Sequence, residues 1–307
     1  MLSYRHAYHA GNHADVLKHL VLVQLLGYLA QKDKPFWYVD THAGAGLYPL
    51  DSVEALKNAE FEGGIGRLWR DFGLSAMRTD SETSPIPLHP QSPHVPSTAL
   101  PAALSAYLAQ VRALNPGGRL TRYPGSPQIA RQMLRAQDRL RLFDLHSTDS
   151  RLLRAQIADV DARVIAVAGD GFAGLRSVLP PPTRRALVLI DPSYEDKQDY
   201  RDVVSALDDA LRRFASGTYL VWHPLLDRRD SVQLPNALKA LRDHDWLHVV
   251  LQVKTPAAHG FGMHGSGLFI VNPPWTLPDA LREAMPVLVS TLGEDAGASF
   301  TLEHTIV

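Results

Sequence analysis

The run Ala186-Leu-Val-Leu-Ile190 leads straight into Asp191, Pro192, Ser193 and Tyr194. An acid, a proline carbonyl and an aromatic ring in four consecutive residues suit a planar group bearing an exocyclic amine. Asp191 and the Pro192 carbonyl can accept hydrogen bonds from the two N–H groups of that amine, and Tyr194 offers a face for stacking. A second chemical set is Asp40-Thr-His42-Ala-Gly44-Ala-Gly46, where an acid precedes a glycine-bearing turn. Glycine lets backbone approach a ligand closely and present its N–H groups. The turn continues as Leu47-Tyr48-Pro49 and lacks the third glycine of a dinucleotide fingerprint, which argues against a nicotinamide cofactor. Two more acids, Asp144 and Asp170, end apolar runs, and Gly171 follows the second. Each acid alone reads as a solvated turn residue. Four of them, each at the end of a buried-type run, describe a polar crevice.

Positioning these groups requires strands. The unbroken apolar run 186–190 reads as a strand buried on both faces, as in a parallel sheet, and 36–40, 139–144, 164–168 and 218–222 read as further strands. Pro192 cannot continue a ladder, so the fourth strand stops there and presents Asp191 at its carboxyl end, where open α/β sheets bind ligands. Helices are expected at 11–31, with Asn12 as N-cap, and at 148–159, 198–214 and 233–243. In Tyr123-Pro-Gly-Ser126-Pro127, Ser126 reads as an N-cap with Pro127 at the first helical position, a helix start able to hold a carboxylate. Strands 248–253 and 268–271 are joined by the Gly-rich loop 256–267, which has no room for a helix, so they pair antiparallel. The fold class is therefore α/β, a Rossmann-like, mostly parallel seven-stranded sheet.

Between Leu50 and Asn115 the α/β rhythm is lost. Stretches 53–72 and 99–114 have helical periodicity around a Pro- and Ser-rich loop, 73–101. The separation of the first two strands far exceeds the dozen or so residues a crossover needs. Residues 1–49 and 116–307 are thus expected to form one domain, with 50–115 an inserted helical subdomain.

The chain has 307 residues, 45% hydrophobic and 21% charged, with no cysteine and a formal net charge of −1. This composition fits a globular protein and excludes disulfides, thiolate metal sites and thiol nucleophiles. No global field announces a nucleic-acid partner, so such binding must use local basic runs, for which Arg119/Arg122, Arg131/Arg135 and Arg184/Arg185 are candidates. The N-terminal residues lack the order of a signal peptide, and the Leu20–Ala30 run is too short to span a membrane. A cytoplasmic protein without membrane association is expected. His9 and His13 have the i, i+4 spacing of a metal pair, but Gly11-Asn12 breaks the helix between them, so no metal is expected.

Several of these segments resemble known families. Asp191-Pro-Ser-Tyr194 is similar to the Asp/Asn-Pro-Pro-Tyr motif of amino-methyltransferases, and Asp40 to Gly46 resembles the first motif of S-adenosylmethionine-dependent methyltransferases. Together with residues 1–19 (Met-Leu-Ser-Tyr4-Arg-His through Lys18-His19) and Tyr-Pro-Gly-Ser126-Pro, they look like the RlmJ family of 23S ribosomal RNA adenine-N6 methyltransferases. The likeness runs from residue 1 to Asn-Pro-Pro-Trp at 272–275. It implies S-adenosylmethionine as methyl donor, 23S ribosomal RNA as partner and no metal; the sequence leaves the oligomeric state open, with a monomer favoured. It further implies that His19, His42, Ser126, Asp144, Asp170 and Gly171 contact the cofactor, beside the loop of Asp40, Gly44 and Gly46. Asp191 would be the catalytic acid, flanked by Pro192 and Tyr194, with Tyr4 and Lys18 near the target base. The sequence departs from the family at Ser193, where proline is usual. Other chemistries compatible with the same acceptors are methylation of DNA adenine or of a protein glutamine. From other classes come a non-catalytic RNA-binding module and a histidine metallohydrolase. The first predicts a disrupted cofactor loop, yet Gly44 and Gly46 are intact.

Overall fold

The computed structural model describes residues 5–73, 100–241, 244–257 and 262–306. Its centre is built from β1 (Trp37–Asp40), β4 (Arg139–Asp144), β5 (Val164–Ala168), β6 (Ala186–Ile190) and β7 (Thr218–Leu225), all parallel. All five residues of β6 are buried, as an apolar run between two helical layers must be. Strands β8 (Trp246–Gln252) and β9 (Gly265–Val271) pair antiparallel, as their short connection requires, and β9 inserts beside β7. The order is β10-β8-β9-β7-β6-β1-β4-β5.

That order holds one strand more than the seven expected. The eighth, β10 (Ser299–His304), lies antiparallel on β8 at the sheet edge. Phe300 and Leu302 lean on the core while Ser299, Thr301 and Glu303 are exposed. This is the period-2 alternation of a half-covered edge strand, unlike the continuous apolar runs of the centre. A separate two-stranded ribbon pairs β2 (Leu47–Pro49) with β3 (Arg122–Pro124).

Helices cover both faces. On one, α1 (His13–Ala30) is buried along Val16–Val23 and again at Leu25 and Leu26. Such a helix is apolar nearly all round because it lies between the sheet and an outer layer. Asn12 caps it, its side chain accepting from the backbone N–H groups of Ala14 and Asp15. The expected helix at 53–72 is instead α2 (Val53–Asn58), α3 (Glu60–Gly63) and α4 (Ile65–Leu68), followed by one wider helical turn. The first break is at Ala59, in the left-handed region at φ 49°. The second is at Gly64, where a Cβ would lie 2.1 Å from the Gly11 carbonyl oxygen. Residues Ile65, Leu68 and Trp69, with Leu104, Tyr107, Leu108 and Val111 of α5 (Ala102–Ala113), join the same buried cluster as α1 and α11 (Leu277–Leu292). Most of the expected 73–101 loop, residues 74–99, lies outside the described residues, as does Tyr4.

Helix α6 (Ser126–Met133) completes this face, and α7 (Ser147–Leu153) follows β4. The opposite face carries α8 (Gly171–Val178), α9 (Gln198–Arg213) and α10 (Arg229–Lys239), whose Leu175, Tyr200, Val203, Leu207, Leu234 and Leu238 form a second cluster. Helix α10 starts four residues earlier than its apolar pattern suggests and tolerates Pro235 in its second turn. Among the described residues, no helix is long and apolar enough to cross a membrane.

Candidate active site

A cavity of about 520 Å³ opens at the carboxyl edge of the parallel strands and is closed on one side by the first turns of α1. Asp191, the first residue after β6, lies in its wall. Its Oδ2 accepts from Lys18 Nζ at 2.6 Å, and the same Nζ lies 2.9 Å from Asp15 Oδ1. Capping at Asn12 starts α1 so that Asp15 and Lys18 fall one turn apart on the same face. Asp15 Oδ2 in turn accepts from the Gly11 N–H at 2.8 Å and contacts His6 Nε2 at 2.9 Å.

This network is almost dry, with Asp15 and Lys18 only 1% and 5% exposed. Burial alone would lower the Lys18 pKa, but Asp15 and Asp191 together outweigh it and hold that pKa above the usual value. Burial would likewise raise Asp15, yet His6, Lys18 and His19 outweigh it and keep that carboxyl well below the ordinary range. Asp191 differs. Burial pushes its pKa up, and Lys18 only partly offsets this. Lys18 is thus a fixed cation between two carboxylates, and Asp191 is the more basic of them. Among the described residues, only Oδ2 of Asp191 has a hydrogen-bond partner, so Oδ1 is left to accept from a ligand.

The other half of the cavity belongs to the loops after β1, β4 and β5. Asp144 Oδ2 accepts from the Gly44 N–H at 2.7 Å and Oδ1 from the His146 N–H at 2.8 Å, tying two loops to one acid. Burial raises its pKa. Gly44 sits at φ 59°, and a Cβ there would lie 2.3 Å from the Tyr48 hydroxyl. Asp170 caps α8 through the Phe172 N–H at 2.9 Å, and a Cβ on Gly171 would collide with the Thr41 carbonyl at 1.9 Å. His42 packs edge-on to Phe172 at 5.1 Å, and burial lowers its pKa to about 4. His19 Nδ1 meets the Tyr123 hydroxyl at 2.8 Å, and burial pushes its pKa down to about 3. Both imidazoles are neutral at pH 7.

Of the residues singled out in the sequence, Lys18, His19, His42, Gly44, Ser126, Asp144, Asp170, Gly171, Asp191 and Pro192 line this one cavity. Three do not. Asp40 is fully buried and accepts from the Tyr38 and Ser126 hydroxyls at 2.8 and 2.7 Å, and burial raises its pKa to about 6. It is a strut beneath the loop. Gly46, at φ 80°, accepts from the Gly125 N–H, and a Cβ there would crowd Ile157 and Leu153 at 3.1 Å, so it serves packing. Tyr194 is 3% exposed, with its ring against Tyr200 and Trp222 and its hydroxyl donating to the Trp222 carbonyl at 2.7 Å. Ser126 is also corrected in role. Gly125 is the cap, Ser126 is the first helical residue, and its hydroxyl is spent on Asp40.

Three residues of the basic runs have structural partners. Arg135 bonds the carbonyls of Ala30, Lys32 and Lys34, Arg185 bonds those of Leu29 and Lys34, and Arg131 meets Asp161. They brace the amino edge of the sheet, opposite the cavity. His9 and His13 are separated as the Gly11-Asn12 break requires, and His9 contacts Glu60 at 2.8 Å. No group of three or more His, Asp or Glu is placed to hold a metal among the described residues.

Sequence reasoning missed Asp15 and Trp222 in this wall. For Asp15 the signal was present, an acid and a lysine at i, i+3 on a helix otherwise apolar. Trp222 follows Val221, the last residue of β7 in the ladder to β6, so the strand-end rule that found the acids applied to it too.

The family model described as "Ribosomal RNA large subunit methyltransferase D, RlmJ" matches residues 33–80 and 95–305. A "Ribosomal RNA large subunit methyltransferase J" of Haemophilus influenzae is 41% identical over 99% of this chain and 98% of its own. The protein of that name from Escherichia coli K12 is 42% identical over 95% of this chain and 94% of its own. A crystal structure of a Legionella pneumophila protein superposes with a TM-score of 0.80 at 32% identity, covering 96% of this chain and 98% of that one.

Proposed function

Because the chain belongs to the RlmJ family of ribosomal RNA large subunit methyltransferases, we propose that it methylates the N6 amine of an adenine in 23S ribosomal RNA, with S-adenosylmethionine as donor. The observation that carries this reading is the Asp191 carboxylate, which lies in the cavity wall with its Oδ2 held by Lys18.

The residues present fit such a donor. Asp144 ends the second parallel strand in sheet order from β1, the usual place of an acid that accepts from a ribose diol. Beside it Leu145 is 61% exposed yet lines the cavity, an apolar surface suited to a purine ring. Gly44 and Gly171 let the loops after β1 and β5 close on the Tyr48 hydroxyl and the Thr41 carbonyl, which shapes the wall of that half of the cavity. When bound, the cofactor supplies an electrophilic methyl group on a sulfonium. What remains is the task of the protein.

Adenine N6 is a weak nucleophile because its lone pair is delocalised into the ring. Asp191 Oδ1 accepts one N6–H, turning the lone pair toward the incoming methyl, and the raised basicity of Asp191 lets it take up the proton that the amine sheds. Lys18 fixes the carboxylate, and Asp15 fixes Lys18, so rate comes from positioning and preorganised charge. The same reading assigns a cytoplasmic monomer in which residues 50–115 are an insertion.

Radiolabelled methyl transfer to deproteinised 23S ribosomal RNA, with nucleoside mass spectrometry of the product, tests this. N6-methyladenosine in the RNA is expected. Label in DNA or in protein glutamine instead would replace the substrate while keeping the chemistry.

A further inference from the structure

A file of three buried side chains runs from the segment 50–115 to the cavity wall. Tyr107 of α5 places its hydroxyl 3.0 Å from that of Tyr123 in β3, and the Tyr123 hydroxyl lies 2.8 Å from Nδ1 of His19 on α1. Both tyrosines are wholly buried, and His19 is 1% exposed. Among the described residues, these two contacts are the only hydrogen bonds that the three side chains make. His19 belongs to the lining of the cavity, and its Nε2 is the nitrogen left for a ligand.

Counting protons gives the file a direction. Burial keeps His19 neutral at pH 7, so one ring nitrogen carries a proton and the other is bare. Suppose that Nδ1 carried it and donated to Tyr123. One of the two phenolic protons would then have no acceptor in a dry interior, which is the costly arrangement. With Nδ1 bare, Tyr107 donates to Tyr123, Tyr123 donates to His19, and both phenolic protons are placed. Asp15 favours the same answer. Its Oδ1 is 4.0 Å from His19 Nε2, where a carboxylate attracts an N–H and repels a lone pair.

We infer that Tyr123 is a positioning residue whose hydroxyl fixes His19 as the Nε2–H tautomer, and so makes the imidazole a hydrogen-bond donor to the cofactor. The last step rests on the proposed use of S-adenosylmethionine, whereas the tautomer does not. Removing the Tyr107 hydroxyl leaves the donation intact, because His19 is then the one acceptor that Tyr123 has. Removing the Tyr123 hydroxyl leaves Nδ1 with nothing to select the tautomer.

Long-range proton–nitrogen correlation spectra of histidine-labelled protein read the tautomer, with the His19 signals assigned by their loss in His19→Gln. Calorimetric titration of S-adenosylmethionine reads its consequence. Wild type and Tyr107→Phe should both show a protonated Nε2 and a bare Nδ1, with equal affinity for the cofactor. Tyr123→Phe should populate both tautomers and bind S-adenosylmethionine about tenfold more weakly, while methylation at saturating cofactor is largely kept. A protonated Nδ1 in the wild type overturns the inference. So does an equal loss of affinity in the two tyrosine variants, the result if the file served packing alone. Wild-type protein with the expected tautomer that binds no S-adenosylmethionine overturns the proposed donor, and the last step with it.

Discussion

Lys18 Nζ stands 2.6 Å from Asp191 Oδ2, joining the first turns of α1 to the end of β6 across 173 positions of sequence. The contact is nearly dry, so removing Lys18 leaves Asp191 a buried, uncompensated charge. Lys18→Met keeps the bulk and deletes the cation. Methyl transfer should fall by about a hundredfold or more, the scale of losing one preorganised polar contact. The pH profile should move as well. Lys18 holds the Asp191 pKa down against burial, so its loss raises that pKa further and shifts the acid limb of kcat to higher pH. A drop in rate with an unmoved acid limb would mean that Lys18 acts on something other than Asp191.

Asp15 never reaches the cavity chemistry directly, since its oxygens are taken by Gly11, His6 and Lys18. It is a positioning residue. Asp15→Asn keeps the shape and removes the charge that holds Lys18 protonated and in place. We expect about a tenfold loss in kcat, the rate equivalent of one weakened charged hydrogen bond of ~1.5 kcal/mol. The KM for S-adenosylmethionine should be unchanged, and Asp15→Glu should recover part of the rate. A rise in that KM with kcat intact would show that Asp15 serves the cofactor half instead.

The parallel centre of the fold and the acids at its edge were legible because buried strands and strand ends follow local rules. Asp191, Asp144 and Asp170 each terminate an apolar run and each lines the cavity. Asp40 obeys the same rule yet is sealed under its loop, because Tyr38 and Ser126 close over it from other elements. No local pattern records that closure. Tyr194 misleads for a related reason. A motif fixes residue types, while the left-handed φ that turns the ring away is a backbone property. Asn272-Pro-Pro-Trp275 shows the point from the other side. It too has the amino-methyltransferase pattern, but β9 runs antiparallel, so it lies at the amino edge, with the Asn272 amide donating to the carbonyls of Ala215 and Gly217.

Asp40 makes a prediction about stability. Its carboxyl has a pKa near 6 when folded, against 3.8 for the unfolded reference, because it is fully buried. Between those values the native state binds more protons than the unfolded one. Its contribution is therefore fully present below about pH 4 and is lost as pH rises through 6, by at most about 3 kcal/mol. Asp40→Asn cannot titrate. The stability of the variant relative to wild type should consequently improve between pH 4.5 and pH 7.5, measured by urea unfolding at each pH. A difference that stays flat would place the Asp40 pKa at its ordinary value and remove the account of it as a buried strut.

Asp191 and Asp144 end strands of the same sheet, and both have pKa values raised by burial, yet their hydrogen bonds assign them opposite duties. Asp191 lies in the cavity wall with one oxygen fixed by a lysine. Asp144 accepts the backbone N–H groups of Gly44 and His146, so it shapes the loops of the other half of the cavity, and in the proposed reading it also offers oxygens to a ribose. Asp191→Ala should lower the single-turnover methylation rate by about a hundredfold or more while S-adenosylmethionine binds almost as before. Asp144→Ala should weaken cofactor binding about tenfold or more, through the lost hydrogen bonds and the loosened loops. At saturating cofactor its rate should suffer far less, because it makes no contact with the reacting amine. Calorimetric titration of S-adenosylmethionine and single-turnover methylation of deproteinised RNA, both on each variant, give four numbers that must cross in this way. Near-normal methylation by Asp191→Ala at saturating cofactor would remove Asp191 from the chemistry, and the Lys18 and Asp15 assignments would go with it.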